Sequence, residues 1–539
     1  MTVTIPNDPA PIPADLRRHY LASGLWDDST LPSLLLAGLR RHPQQRVRLW
    51  SNRIRRHESF ATLESTALRF AAGLAKRGVA PGDRVVIWLP NGWEALVAFV
   101  GAAVLGAVVV PVASFYGRKD IVEIANAASA RVVVTCTQHG RRDYLDEVCG
   151  SRGELPSGHT IVRCGGGGSR HGDTTAFEDL LATPEAPQSP RSADDVCLLG
   201  FTSGTSGTAK AVVHTHHTLC AEVRNHLTAM VPRGAVPQIM ASPVAHAAGM
   251  TLGLLAPIYR GEPIHLIDSF DVDFLLDTAH TEGLAPGGGA AVFLSALIDH
   301  PNFTDELADR MRYVILGGST VPEALVTKAA ARGVTVLRSY GLTEHPTVST
   351  GALTDDPAVL ARSDGRLLPG VEVEIRDGAG NALPVGSEGE IFTRGPDRCA
   401  GYLQSEMNSA FDSEGWLATG DIGVLDSAGY LAITDRSKDL IIRNGVNIAP
   451  AEVENALLMY PDVAEVAVVG LPDDRTGERA VAVVVAHRGH AISLTALTDH
   501  LAALGVAKPK WPEELRLTDH LPRTASGKVR KNELRKAFS

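Results

Sequence analysis

Apolar positions along the first third of the chain switch repeatedly between two periods. Residues 62–77 carry them three and four apart, as one face of a helix does, and residues 84–89 carry them almost without interruption, as a buried strand does. Between the two lies a turn rich in breakers, with Gly78, Pro81 and Gly82. The pattern repeats with a helix over 93–105, a strand over 107–112, a helix over 120–128 and a strand over 131–135. Residues 96–113 are uncharged and long enough to mimic a membrane span, but Gly106 and Pro111 interrupt them, which favours a buried helix followed by a strand. Strands alternating with helices predict a parallel sheet with helices on its faces. Residues 165–169 and 183–190 read as loops, and the strand pattern resumes at 239–242, 263–267 and 311–316.

The character changes near Gly370. Residues 371–376 and 389–394 alternate apolar with polar, the period of half-exposed strands, and predict a smaller β-rich subdomain. The last hundred or so residues form another unit. A helix over 450–458 opens on Pro450, strands follow at 463–470 and 480–486, and a helix covers 494–504. The expected fold class is therefore α/β. It has a large N-terminal domain of layered α/β sheets plus the β-rich subdomain, and a small α+β C-terminal domain with a basic tail.

The 539 residues suffice for two or more domains, and a net charge of -10 disfavours nucleic acid as a partner. Cys136, Cys149, Cys164, Cys197, Cys220 and Cys399 are scattered without a C-x-x-C pair, so neither a zinc site nor a disulfide framework is expected. A reducing cytoplasm fits this usage, and the first residues lack the basic and apolar regions of a signal peptide.

Five motifs carry candidate chemistry. The run Thr202, Ser203, Gly204, Thr205, Ser206, Gly207 follows an apolar strand and leads to Lys210. Small residues let backbone N–H groups approach a phosphate chain, hydroxyls add donors, and the lysine adds charge. Its spacing is not that of an ordinary P-loop. In residues 339–345, Tyr340 offers a ring to a base, Thr343 a hydroxyl to a phosphate and Glu344 a carboxylate to Mg²⁺, beside Gly341. Asp421, within 419–423, sits at an expected glycine turn and suits two ribose hydroxyls, although an Asx-turn would use the same residues. Residues 435–445 place Arg436, Lys438 and Gly445 around an apolar strand, as at a domain boundary. Lys528 closes a loop at 522–528 and, taken alone, reads as a solvated charge.

In order, spacing and wording these motifs resemble the acyl-activating, adenylate-forming superfamily, from about Asp27 to Arg535. The resemblance implies an N-terminal AMP-binding domain over 1–436 and a mobile C-terminal domain over 437–539. It implies two half-reactions: a carboxylic acid and ATP give an acyl-adenylate and pyrophosphate, and a thiol then displaces AMP. Lys528 would reach the carboxylate and α-phosphate. The 202–210 loop would hold the β- and γ-phosphates, Thr343 the α-phosphate and Glu344 Mg²⁺. Tyr340 would pack on adenine with Gly318, Ser319 and Thr320 along its edge, while Asp421 and Arg436 would hold the ribose. Lys438 matches the hinge, and Gly445 the narrow passage for the pantetheine arm of coenzyme A. The chain departs from the pattern at Ala209 and Ala211 in the first loop, and at Asn444 and Val446 beside the thiol passage.

Residues 242–249 match the motif beside the acyl pocket, where His246 would flank the carboxylate. Amino-acid-activating relatives carry an aspartate in this region, which is absent here, and Ala247 stands where enzymes for 2-hydroxybenzoates have asparagine. Residues 286–293 look like pocket wall, with Gly289 leaving room for acyl bulk. The wording most resembles ligases for medium-chain and alicyclic acids. Free CoA is the expected acceptor, with an acyl carrier protein as the alternative; a nucleotide-binding module without catalysis is disfavoured because Lys210, Glu344 and Lys528 are all present.

Overall fold

Unbroken apolar runs become strands buried on both faces. In the strand Arg84–Trp88, Val85 and Ile87 enter one core while Val86 and Trp88 enter another. The computed structural model describes residues 12–51, 55–165, 173–184, 192–202, 210–232, 234–287, 289, 291–318, 321–436, 439–443, 446–473, 476–504, 506–523 and 528–538.

This strand lies inside an eight-stranded sheet. Its parallel neighbours are Val108–Val112 on one side and Val132–Cys136 on the other. The order continues through Thr160–Cys164 to Thr175–Ala176 at one edge, and through Val196–Thr202, Lys210–Thr215 and Gly401–Tyr402 at the other. Helix Trp93–Leu105 is apolar all round because it is buried all round, between the sheet and helix Phe60–Lys76. It stops at Gly106, whose φ of 78° is the left-handed conformation that ends helices cheaply. Helix and strand thus divide the uncharged stretch as expected, and among the described residues no helix is long and apolar enough to cross a membrane.

A second layer is assembled from shorter ladders. Strand Arg46–Trp50 pairs with Arg55–Ser59 and Ile264–Ile267, and Gln238–Ile239 pairs with Ala285–Pro286. Isolated bridges join Met240 to Leu266 and Gly289 to Leu316. Strand Tyr313–Leu316 leads on to Thr335–Leu342 and His345–Thr350. The strand expected over 239–242 is thus shorter than its apolar run, because the chain turns toward residues 243–246 directly after Met240.

The β-rich subdomain is a four-stranded antiparallel sheet of Glu372–Arg376, Glu388–Arg394, Leu417–Leu425 and Leu431–Arg436. Its apolar face packs with Tyr340 and Val348. The C-terminal domain has a five-stranded sheet centred on the long hairpin Val463–Asp473 and Gly477–Ala486. Helices Pro450–Leu457 and Leu494–Ala503 cover one face, and Lys531–Phe538 covers the other. The joint is close: Asp435 accepts a hydrogen bond from the Ala451 amide at 3.2 Å.

Candidate functional site

Thr202 and Lys210 are cross-strand partners at the open end of a hairpin. Ser203, Gly204, Thr205, Ser206 and Gly207 lie between them, outside the described residues. Two contacts aim this hairpin at the turn formed by Thr343 and Glu344. A Cβ on Gly200 would fall 2.6 Å from the Thr343 methyl, so the glycine makes room for that side chain. His214 donates from Nε2 to the Thr343 carbonyl at 2.8 Å. Burial holds His214 below its ordinary pKa, so the ring is neutral, and a carbonyl only accepts, which puts the proton on Nε2.

The turn is held from its other side as well. Glu344 accepts the Tyr402 hydroxyl on Oε1 at 2.7 Å, and its carbonyl accepts the Cys399 amide at 2.7 Å. Burial, and then the Glu344 charge, push the Tyr402 hydroxyl well above its usual pKa, so it remains a donor. The Lys210 ammonium lies 5.8 Å from the centre of the same ring. Oε2 of Glu344 has no partner among the described residues. A half-buried carboxylate with one oxygen fixed and the other open fits a hard cation such as Mg²⁺.

Beside the turn, the Tyr340 hydroxyl donates to Asp421 Oδ2 at 2.8 Å. Both residues are buried, and Asp421 faces Arg436 across the ladder. The expected turn at Asp421 is corrected here. Residues 419–423 run inside strand Leu417–Leu425, because Gly420, at φ 71°, and a register shift at Ile422 absorb the irregularity without ending the ladder. Gly341 closes the neighbouring hairpin so tightly that a Cβ would stand 2.0 Å from the Pro346 carbonyl. Gly318 follows strand Tyr313–Leu316 with a φ of 75° and open space around it; Ser319 and Thr320 are outside the described residues.

The acyl motif is anchored by Asn91. Its side-chain amide donates to the carbonyls of Ser242 and Ile267, and its Oδ1 accepts the Val244 amide. Gly249 lets residues 242–249 fold back, since a Cβ there would stand 2.0 Å from the Pro243 carbonyl. Gly289 has a different task from the one expected. The space of its missing Cβ is taken by Ser242 Oγ at 2.9 Å and the Phe293 ring at 3.0 Å, so it permits close packing of the wall and adds no free volume.

His246 starts helix Ala247–Met250 through its backbone, without a side-chain cap. The side chain is open to water yet densely surrounded, the situation of a group on the wall of a deep cleft. Burial first, and then the charge of Lys528, lower its pKa to about 4. The lysine of the 522–528 loop therefore acts electrostatically on the acyl motif, 282 positions upstream. Lys438 and Gly445 lie outside the described residues.

Beneath the turn lies a buried chain of polar groups that motif reading missed. His345 Nε2 faces Asp397 Oδ1 at 2.9 Å, and His226 Nδ1 faces Asp397 Oδ1 at 3.4 Å and Glu222 Oε2 at 3.1 Å. His226 Nε2 contacts the Pro369 carbonyl at 3.0 Å and must donate there. A second proton on Nδ1 then satisfies the two carboxylates. Burial alone would lower the His226 pKa, but Asp397 and then Glu222 outweigh it and hold His226 well above its ordinary value. The converse holds for Asp397: burial would raise it, but His226 and His345 keep it well below the carboxylate range. Glu222, His226 and Asp397 also have the proximity of a metal cluster, but their separations are those of hydrogen bonds and a proton suffices. Glu222–Leu227 is a π-helical turn that brings Glu222 and His226 to the same side. Asn91, His214, Asp397 and Tyr402 left little trace in the sequence, apart from the Pro-Asn-Gly turn signal around Asn91.

Comparison with known proteins agrees with this geometry. Residues 37–403 match the family described as AMP-binding enzyme, and residues 452–528 match the AMP-binding enzyme C-terminal domain. The chain is 34% identical over 507 residues to a 3-[(3aS,4S,7aS)-7a-methyl-1,5-dioxo-octahydro-1H-inden-4-yl]propanoyl:CoA ligase of Rhodococcus jostii (strain RHA1), covering 88% of this chain and 93% of that one. It is 30% identical to the medium-chain fatty-acid–CoA ligase of Escherichia coli (strain K12), covering 96% and 92%. The crystal structure of ATP-bound MatB from Rhodopseudomonas palustris superposes with a TM-score of 0.85 at 28% identity, covering 95% and 99%. The chain belongs to the AMP-binding enzyme family.

Proposed function

We propose that this protein is an AMP-forming acid:CoA ligase acting on a medium-chain or alicyclic carboxylic acid. The enzyme activates the acid with ATP, then passes the acyl group to the thiol of coenzyme A. A carboxylate is a poor electrophile, and transfer to the α-phosphate turns AMP into its leaving group. The negative charge gathering on that phosphate must be met by donors already in place. Lys528 meets it from the C-terminal domain, and Thr343 from the turn. The 202–210 loop with Lys210 takes the β- and γ-phosphates and then the departing pyrophosphate. Glu344 would hold Mg²⁺, which would supply positive charge to the phosphates when bound. Tyr340 packs on adenine and fixes the carboxylate of Asp421, which with Arg436 takes the ribose, while residues 318–320 line the adenine edge.

The observation that carries this reading is the Thr343–Glu344 turn, where Tyr402 holds one oxygen of the Glu344 carboxylate at 2.7 Å and the Lys210 ammonium lies 5.8 Å from the same ring. A hinge at Lys438, with the domain boundary at 436/437, exchanges Lys528 for the thiolation face, and Gly445 admits the pantetheine arm. Asn444 and Val446 leave a second reading for the acceptor, the phosphopantetheine thiol of a carrier protein. The substrates and the free cysteines suit a cytoplasmic enzyme. The test is acid-dependent pyrophosphate exchange over a panel of acids, followed by AMP release with free CoA or a holo carrier protein. Exchange without any acid dependence would sink the proposal.

A further inference from the structure

Tyr402 meets Glu344 from a strand of two residues, Gly401–Tyr402, at the edge of the eight-stranded sheet. A strand this short is held weakly by its own ladder, and an edge offers its outer N–H and C=O groups no neighbouring strand. On the inner side Gly401 pairs with Val213 and Tyr402 with Val212. The flanking bonds run from the Ala400 amide to the Val213 carbonyl and from the Leu403 amide to the Ala211 carbonyl. Both polar groups of the Tyr402 backbone are met by one side chain. Asn408 Oδ1 accepts the Tyr402 amide at 2.7 Å, and Asn408 Nδ2 donates to the Tyr402 carbonyl at 3.2 Å. These partners fix which way the Asn408 amide points, because an N–H needs an acceptor and a carbonyl needs a donor. Asn408 lies in the 3₁₀ turn Ser405–Ala410, and Met407, Ala410 and Phe411 pack this segment against Val212, Cys399 and Tyr402. The segment also follows Gln404, whose Oε1 accepts the Ala211 amide at 3.1 Å, beside Lys210.

We propose that Asn408 is a positioning residue for the nucleotide site: its amide stands in for a missing neighbouring strand, holds the Tyr402 backbone, and so keeps the Tyr402 hydroxyl on Glu344. This rests on the acid-activating reading above, in which Glu344 serves the magnesium nucleotide. Without the clamp the phenol and Glu344 Oε1 can part, and the carboxylate must be oriented at the moment of binding. The cost falls on nucleotide affinity, and it passes through the one hydroxyl that links the clamp to Glu344.

The test uses Asn408→Ala. It is expected to raise the KM for MgATP in acid-dependent pyrophosphate exchange by about fivefold with kcat little changed. Calorimetry should show the same factor in the Kd of magnesium α,β-methylene-ATP, which adenylation cannot cleave. In the unloaded protein, hydrogen exchange at the Tyr402 amide should quicken. In a Tyr402→Phe background the substitution should add little to KM, because the hydroxyl through which it acts is gone. Asn408→Asp keeps the side-chain volume and an acceptor for the amide but sets an anionic oxygen against the Tyr402 carbonyl, so it should raise KM at least as far, and it carries the test if Asn408→Ala fails to fold. A native KM in either variant, an unchanged Tyr402 amide, or the same rise in KM with and without the Tyr402 hydroxyl overturns this inference alone. Absence of acid-dependent exchange in the native enzyme overturns the functional reading and this inference with it.

Discussion

Removing the Lys528 ammonium separates the two half-reactions. In the proposed adenylation arrangement the lysine would be one of the preorganised cations facing the α-phosphate, and loss of one such donor costs about 10²–10³ in kcat, or ~2.7–4 kcal/mol. Lys528→Ala is therefore expected to slow acid-dependent pyrophosphate exchange by at least ~10²-fold. A supplied acyl-adenylate should still react with CoA at close to the native rate, because the proposed rotation removes Lys528 from that step. The structure supplies a second readout. His246 is lowered to about 4 by burial first and Lys528 second, so the substitution should raise its pKa while leaving it below the ordinary value of about 6.5. NMR titration of ¹³C-labelled histidine checks the electrostatic arm, and exchange with supplied-adenylate kinetics checks the catalytic one. Equal slowing of both half-reactions, or an unmoved His246 titration, would refute the reasoning.

Asp397→Asn breaks a buried charge pair and should cost about 3–5 kcal/mol in denaturant unfolding, while EDTA should leave native stability unchanged because a proton joins the cluster. The raised pKa of His226 gives stability that is full below about pH 6.5 and lost as pH rises through that raised value. The depressed pKa of Asp397 gives stability present above about pH 3.9 and lost as pH falls through the depressed value. Asp397→Asn should therefore move the alkaline loss to lower pH, measured as unfolding midpoint against pH. Tyr402→Phe removes a hydrogen bond to a charged group and should raise the KM for MgATP by about tenfold with little change in melting temperature. Gly200→Ala drives a Cβ against the Thr343 methyl and should slow pyrophosphate exchange more than it lowers the melting temperature, as paired kinetic and thermal measurements would show.

The central strands were legible because burial on both faces leaves no polar alternation to misread; Arg84–Trp88 and Val132–Cys136 lie within a residue of their expected bounds. The C-terminal hairpin was legible for the same reason, although its strands extend further toward their shared turn, where cross-strand bonds continue past the apolar run. The bulged strand through Asp421 was not, since Gly420 and Gly423 carry the same signal in a bulge as in a turn. Site residues inside motifs could be named, but their mutual contacts could not. Tyr340 meets Asp421 across 81 positions and Glu344 meets Tyr402 across 58, and no local period encodes such pairings. Asp397 was least legible of all, because a buried acid reads as a surface one until its histidines are in place.

On the proposed mechanism the Thr343–Glu344 turn would hold the polyphosphate groups still while the C-terminal domain moves. His214 fixes the Thr343 carbonyl from the first sheet, Cys399 fixes the Glu344 carbonyl, and Tyr402 fixes the carboxylate. His345, the next residue, is tied into the Asp397 and His226 pair below. These restraints come from elements of the large domain alone, so rotation of the C-terminal domain need not disturb them. Preorganisation of the phosphate and metal groups costs nothing further at the moment of reaction. Lys528, by contrast, belongs to the other domain, and its charge adds to burial in lowering the pKa of His246. Nucleotide affinity should then depend mainly on the turn and the rate of adenylation on the approach of the lysine, which is why the two can be perturbed separately.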